Sequence, residues 1–319
     1  MTTGGLARLV DVALDRALIG YGNVGLVLRR RWWPADPAPD ALAGRTAVVT
    51  GARTGLGLAT AVGLARLGAA VRMVVRDADR AAAAAREVRR AAPGAVVELD
   101  ECDVSVLDDV RRYAAGLTGP VHLLVHNAGV MPTERTENSD GNELMLATHV
   151  LGPHLLTGLL RDRLADGAPS RVIWVSSGGM YGQRLSLSDP QSTRGYRPTK
   201  VYARTKRMQV VLAELWAQRL AASGVDVHAM HPGWADTPGV ATSLPTFRTL
   251  TRPILRDPAQ GADTVVWLAA ASPWMAGTGR FWHDRAARPT HYLSRTREDP
   301  ADRRRLWQLC EDLTAPATR

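Results

Sequence analysis

The sequence predicts an α/β fold, a doubly wound parallel sheet of about seven strands with helices on both faces. An amphipathic helical extension precedes it and a short helix closes the chain. Three observations lead there. Six short β-rich runs alternate with stretches long enough for crossover helices: RTAVVT, AAVRMVV, AVVELDE, VHLLVH, RVIWVSS and VDVHAMH. The glycine-rich segment TGARTGLG follows the first run and leads straight into the helical pattern LATAVGLARLG. A chain of 319 residues, 45% of them hydrophobic, can also bury one large core.

The elements follow in order. Leu6, Leu9, Val10, Ala13, Leu14, Ala17 and Leu18 recur at helical spacing, with Arg8, Asp11, Asp15 and Arg16 between them. This helix runs into IGYGNVGLVL, then RRRWWP, then the linker PADPAPD, so residues 1–43 read as an extension. Its apolar run is broken by glycines and falls short of the roughly 20 residues a membrane span needs. Positive charge follows the run instead of preceding it, which argues against a signal peptide. Two readings stay open. The extension docks on the main domain or a second subunit, or residues 5–33 lie on a membrane with Arg29 to Arg31 at the headgroups and Trp32 and Trp33 at the interface. Residues 44–290 carry the alternating pattern, with a seventh strand in GRFWH, and 291–319 form a tail whose helix places Leu306, Leu309 and Leu313 on one face.

Composition narrows the function classes. The net charge of +9 comes from arginines dispersed among 31 acidic residues, and RRRWW stands without any nucleic-acid-binding motif. Cys102 and Cys310 cannot build a disulfide framework, and no Cys/His cluster has zinc spacing, so no metal is expected. His122 and His126 flank a buried strand and are expected to pack or bond locally; His231 is not expected to be catalytic. The reading is a reducing, cytoplasmic setting, with the inner face of a membrane as a peripheral location.

The motifs carry the chemistry. In TGARTGLG, glycines allow a tight turn and let backbone N–H groups approach a pyrophosphate at a helix N-terminus, which after a first strand points to a dinucleotide. The spacing Gly51, Gly55, Gly57 differs from the usual G-x-G-x-x-G. Where the second strand ends, a lone carboxylate would take the ribose hydroxyls of NAD(H). Here Arg76 precedes Asp77, and Arg53 lies in the glycine loop, so NADP(H) is favoured over NAD(H). Further on, GYRPTKVYARTK contains Tyr-x-x-x-Lys twice and holds the only two lysines of the chain, Lys200 and Lys206. A tyrosine and lysine four apart share a face only on a continuous helix. Pro198 stands between Tyr196 and Lys200, so that pair straddles a helix start, whereas Tyr202 and Lys206 lie inside the helix.

These motifs, in this order, resemble the short-chain dehydrogenase/reductase family over roughly residues 44–290. The matches are TGARTGLG, with Gly51, Arg53, Thr54, Gly55, Leu56 and Gly57; Asp103 and Val104 after the third strand; and Asn127, Ala128 and Gly129 in HNAGV. Ser177 in VSSGGM, Tyr202 and Lys206 in VYARTK, and Pro232, Gly233 and Thr237 in HPGWADT complete them. The resemblance implies a Rossmann-type sheet and hydride transfer between NADP(H) and an alcohol or carbonyl. Tyr202 would be acid/base, Lys206 would tune it and hold the nicotinamide ribose, and Ser177 would hold the substrate oxygen. It also implies a substrate lid over 238–260, whose Leu, Phe and Ile residues suit a lipophilic substrate. Pairing through helices near 105–165 and 199–221 would give a homo-oligomer, a dimer or tetramer. One residue departs from the pattern. His149 stands where the family has a catalytic Asn; it keeps the backbone carbonyl and adds a titratable ring. The competing readings are a catalytically weak or inactive NADP(H)-binding regulatory protein and a nucleotide-sugar epimerase of related fold, which would show a TGxxGxxG loop and a larger C-terminal domain.

Overall fold

The computed structural model describes residues 11, 14–15, 19–236, 248–249, 251–272 and 277–316. Six parallel strands come first: β1 (Thr46–Thr50), β2 (Ala70–Val75), β3 (Val97–Glu101), β4 (Leu123–His126), β5 (Ser170–Val175) and β6 (Val225–Met230). Two short ones follow, β7 (Phe281–His283) and β8 (Ala286–Arg288), giving one sheet of order β3-β2-β1-β4-β5-β6-β7-β8. All neighbours are parallel except β7 and β8. The strand order reverses between β1 and β4, the switch point where such sheets open a crevice at their C-terminal edge.

Both faces of the sheet are covered at its centre, which is why β1, β4 and β5 read as nearly unbroken apolar runs. Ala47 and Val49 face one core with Ala61, Leu64 and Leu268, under the helices α2 (Gly55–Arg66), α3 (Ala78–Ala91) and α7 (Pro258–Ala270). Val48 faces the other with Val110, Leu156, Leu212 and Trp216, under α4 (Leu107–Gly116), α5 (Gly152–Leu159) and α6 (Pro198–Leu220).

The sheet has the strands expected from sequence, about seven, and one more, β8. The extra strand β8 is three residues long and pairs with β7 through a two-residue turn, Asp284 and Arg285, both at positive φ of 50° and 56°. Such a turn normally advertises itself as Asn-Gly or Asp-Gly, and Asp-Arg does not.

The C-terminal helix α8 (Pro300–Thr314) buries Leu306, Cys310 and Thr314, so its inward stripe runs along these positions, with Leu313 beside it and Leu309 outside. Trp307 packs at 4.8 Å from both the His154 and Trp216 rings, with the Arg219 guanidinium 3.5 Å from its ring centre. Glu311 bonds His154 at 2.9 Å and Arg303 bonds Glu214 at 2.7 Å. The outer side of α5 and α6 is therefore covered by the chain's own tail.

The N-terminal extension docks on the main domain. Its helix α1 (Asn23–Arg29) ends in Arg29, fully buried, which bonds Asp11 at 2.6 Å, Asp15 at 2.5 Å and Asp284 at 2.9 Å. Arg29 thus does not sit at a membrane headgroup, and Asp11 and Asp15 face inward instead of toward solvent. Among the described residues, no helix is long and apolar enough to cross a membrane.

Candidate active site

A cleft of about 830 Å³ opens over the C-terminal edge of β1, β2, β4 and β5. Local sequence dictates its floor. Gly51 has φ +66° and lies so near β4 that an added Cβ would come within 2.8 Å of the Ala128 Cα. At Gly57 a Cβ would meet the Gly51 carbonyl oxygen at 2.3 Å, so only glycine lets α2 begin this close to the strand. Thr50 ties the two sides of the crevice together. Its hydroxyl accepts from the Asn127 and Ala128 amides at 3.0 and 3.1 Å, while the Asn127 carboxamide donates to the Thr50 carbonyl at 2.9 Å. The result is a cradle of backbone at a helix N-terminus, which fits a dinucleotide pyrophosphate. Asp103 lines the adjoining wall with Val104, its Oδ1 accepting from the Ser105 amide and hydroxyl at 2.9 and 2.7 Å.

At the far end of the cradle stand Arg53, Arg76 and Asp77, joined by Arg80, which sequence reasoning missed. It lies four residues beyond Arg76, in the first turn of α3. Asp77 caps α3, with Oδ1 accepting from the Arg80 amide at 2.9 Å. A carboxylate engaged as a helix cap is less available to ribose hydroxyls, and the Arg80 guanidinium also lies 3.9 Å from it.

At the other end lie Ser177, Tyr202 and Lys206. The helix α6 starts at Pro198 and runs unbroken past both residues, so Tyr202 and Lys206 share a face. Tyr196 stays outside, with its hydroxyl donating to the Pro132 carbonyl at 3.1 Å. Lys206 is buried and donates to the Val175 carbonyl at 2.9 Å, with its ammonium 5.4 Å from the Tyr202 ring centre. Burial lowers the lysine to about 7. Burial raises the Tyr202 phenol to about 12, and its hydrogen bond with Ser177 offsets part of that rise. Burial is the leading influence on both groups here, acting against each charged form. Pro232, Gly233, Trp234, Met131, Leu144 and Ala203 complete the walls. Trp234 and Met131 were not anticipated. Thr237 and residues 238–247 and 250 of the expected lid lie outside the described residues.

His149 is set apart from the other motif residues. It lies in a π-helical turn (Ala147–Leu151), fully buried behind the cleft wall, and does not line the cleft. Its Nε2 accepts from the Val130 amide at 3.0 Å, which leaves the proton on Nδ1. That Nδ1 lies 2.8 Å from the Thr205 hydroxyl, which itself donates to the Tyr202 carbonyl at 2.9 Å, so Thr205 accepts from the ring. Burial, with Lys206 nearby, holds the imidazole well below its ordinary 6.5. Burial thus disfavours a charged ring, and the His149 carbonyl accepts from Gln209 Nε2 at 2.9 Å. His149→Asn is expected to leave the pH–rate profile unshifted between pH 5 and 8 and to change kcat by less than about threefold, at a stability cost of about 1–2 kcal/mol for the lost bond and filled volume. A profile limb that moves with the substitution would show that the ring titrates after all.

Known proteins agree with this architecture. The family model for short chain dehydrogenase matches residues 45–246. The chain is 41% identical to dehydrogenase/reductase SDR family member 12 of Bos taurus over 287 residues, covering 87% of this chain and 90% of that protein. It is 30% identical to retinol dehydrogenase 11 of Mus musculus over 282 residues, covering 85% and 87%. Among solved structures, an uncharacterized protein of Mycobacterium paratuberculosis superposes with TM-score 0.70 at 30% identity, covering 87% of this chain and 97% of the other. A metagenomic short-chain oxidoreductase in complex with NADP superposes with TM-score 0.56 at 26% identity, covering 73% and 94%. Fold, ordered motifs and relatives converge: the chain belongs to the short-chain dehydrogenase/reductase family and is an NAD(P)-dependent oxidoreductase acting on CH–OH and C=O groups.

Proposed function

We propose that the protein reduces a lipophilic ketone or aldehyde with NADPH, using Ser177, Tyr202 and Lys206. One observation carries the reading: the tyrosine, serine and lysine meet at one end of a continuous cleft whose other end is a glycine cradle ringed by Arg53, Arg76 and Arg80. A bound nicotinamide cofactor supplies the hydride. The chain's part is to hold the carbonyl oxygen between the Ser177 hydroxyl and the Tyr202 phenol, and to pass the phenolic proton to that oxygen as negative charge develops on it. A phenol raised to about 12 is protonated at neutral pH, so its resting state suits the acid of a reduction better than the base of an oxidation. Lys206, anchored on the Val175 carbonyl, stands beside the tyrosine to reload it. Asp103, Val104, Asn127, Ala128, Gly129, Pro232 and Gly233 are assigned to the cofactor, and Met131, Leu144 and Trp234 give the substrate end an apolar lining.

NADPH consumption across a panel of aliphatic, terpenoid and aromatic carbonyls tests this; NADPH binding without turnover on any of them would favour the regulatory reading. NADPH is expected to show a KM about tenfold or more below that of NADH, and Arg76→Ala to erase most of the difference, since a charge-assisted bond to a 2′-phosphate is worth about 1.5–3 kcal/mol. An equal or lower KM for NADH would overturn the preference.

Two further points concern its setting. On α1, Val24 and Val27 lie one turn apart and are 47% and 55% exposed, with Trp32 38% exposed beside the exposed Arg30 and Arg31. This cluster supports peripheral contact of the extension with an anionic membrane on the cytoplasmic side, where two unpaired buried cysteines are at home. Val24→Asp with Val27→Asp is expected to abolish co-sedimentation with anionic vesicles; unchanged partition sinks the idea. Self-association through α5 and α6 would have to displace α8, so an intact homo-oligomer would use another surface.

A further inference from the structure

We propose that a second cavity, on the opposite side of α6 from the Tyr202 phenol, is a binding site for a phosphate-bearing anion. It has a volume of about 690 Å³ and shares no lining residue with the cofactor cleft. Five cationic side chains line it, Arg184, Arg194, Lys200, Arg204 and Arg295, against a single carboxylate, Asp189. Three separate parts of the chain supply them. Arg184 and Arg194 come from the long connection between β5 and α6, Lys200 and Arg204 from consecutive turns of α6, and Arg295 from the segment before α8.

The charges are only partly neutralised from within, Asp189 and Glu143 attracting Arg204 alone of the five. Asp189 turns both oxygens into its own loop: Oδ1 accepts from the Thr193 amide and hydroxyl, each at 3.0 Å, and Oδ2 from the Arg194 amide at 3.1 Å. Among the described residues, the side chains of Arg184, Arg194, Lys200 and Arg295 enter no ion pair or hydrogen bond. Arg204 uses one nitrogen, bonding the Pro190 carbonyl at 3.2 Å and the Ser192 hydroxyl, while its buried Nε has no partner. This contrasts with much of the molecule, where arginines such as Arg29, Arg72, Arg207 and Arg285 meet carboxylates. Like charges gathered around a concavity repel one another, and an incoming anion with several charges relieves that repulsion. A tetrahedral dianion offers oxygens to several guanidinium forks at once, which a single carboxylate cannot. Tyr202, between Lys200 and Arg204 in sequence, points about 200° round the helix from each, which is why the two cavities stay separate.

Phosphate could reach the site on a soluble ester or on a lipid headgroup, and the test separates them. Inorganic pyrophosphate is titrated calorimetrically into the full-length protein with and without saturating NADP+. The expected result is one site that persists when NADP+ fills the cleft and weakens by roughly tenfold or more in Arg194→Glu with Lys200→Glu. Arg295→Glu, on a different segment, is expected to weaken it as well, guarding against a folding defect in the loop. No binding to the wild type, equal binding to the variants, or binding abolished by NADP+ would each overturn the site. Glycerol 3-phosphate and dihexanoyl phosphatidic acid then identify the source: comparable affinities indicate a soluble ester, and markedly tighter binding of the acylated form a lipid headgroup.

Discussion

Tyr202→Phe is expected to lower kcat for carbonyl reduction by about a thousandfold or more while leaving NADPH affinity within about twofold, because it removes one proton donor and little else. The ring itself is retained, including its edge-on packing at 5.4 Å against His149, so the fold of α6 has no reason to change. What disappears is the hydroxyl that bonds Ser177 and would protonate the substrate oxygen. Fluorescence titration of NADPH and steady-state turnover on the best carbonyl of the panel separate the two effects; turnover within tenfold of the wild type would refute the assignment. The pH dependence of the wild type carries a matching sign. With the phenol raised to about 12, the acid form persists through the neutral and mildly alkaline range, so reduction should hold up there, whereas oxidation, which needs the phenolate, should rise with pH.

How much of this was legible depends on whether the determining contacts are local. The central strands β1, β4 and β5 could be read because a sheet buried on both faces demands continuous apolar runs, and TAVVT, LLVH and RVIWV supply them. The choice of Tyr202 over Tyr196 rested on Pro198, a steric fact carried by three neighbouring residues. Most residues named from the motifs line the cleft, because all the motifs but VYARTK follow the C-terminal ends of strands. What escaped was set by distant partners. Arg80 reaches the cleft only through the packing of α3 beside the cradle. The position of His149 was recognisable, but its chemistry was not, since the Val130 amide and Thr205 hydroxyl determine its tautomer and burial removes its charge. β8 was hidden for a related reason: Asp284 and Arg285 take the left-handed conformation without glycine, and each is held there by ion pairs, Asp284 to Arg29 and Arg256, Arg285 to Asp263 and Asp36.

The largest stability effect is expected at that turn. Asp284→Asn keeps a residue that tolerates positive φ, so it tests charge alone. Asp284 is buried between Arg29, at 2.9 Å, and Arg256, at 2.6 Å, and Arg256 in turn holds the Gly20 carbonyl at 3.0 Å and the Pro232 carbonyl at 3.3 Å. Removing the carboxylate leaves Arg256 without a counter-ion among the described residues, while Arg29 keeps Asp11 and Asp15, a change that costs about 3–5 kcal/mol when one partner of a buried pair is lost. Thermal unfolding should fall by roughly 5–15 °C on that basis. Burial alone would raise the Asp284 carboxyl, and Arg256 and Arg29 outweigh it, leaving it below its ordinary 3.8. Its contribution is therefore complete above the unfolded value and is lost as pH falls through the lower folded one, so the gap between wild type and variant should narrow in acid. The same substitution reaches the cleft. The Tyr21 carbonyl accepts from the Trp234 amide at 2.7 Å, and Arg256 braces the turn at Pro232 and Gly233 from the other side, so loosening the cluster should raise KM for the cofactor more than it lowers kcat. A variant that melts like the wild type would show that the extension is held by its apolar contacts; one that melts early with an unchanged KM would show that the cluster anchors the extension without shaping the site.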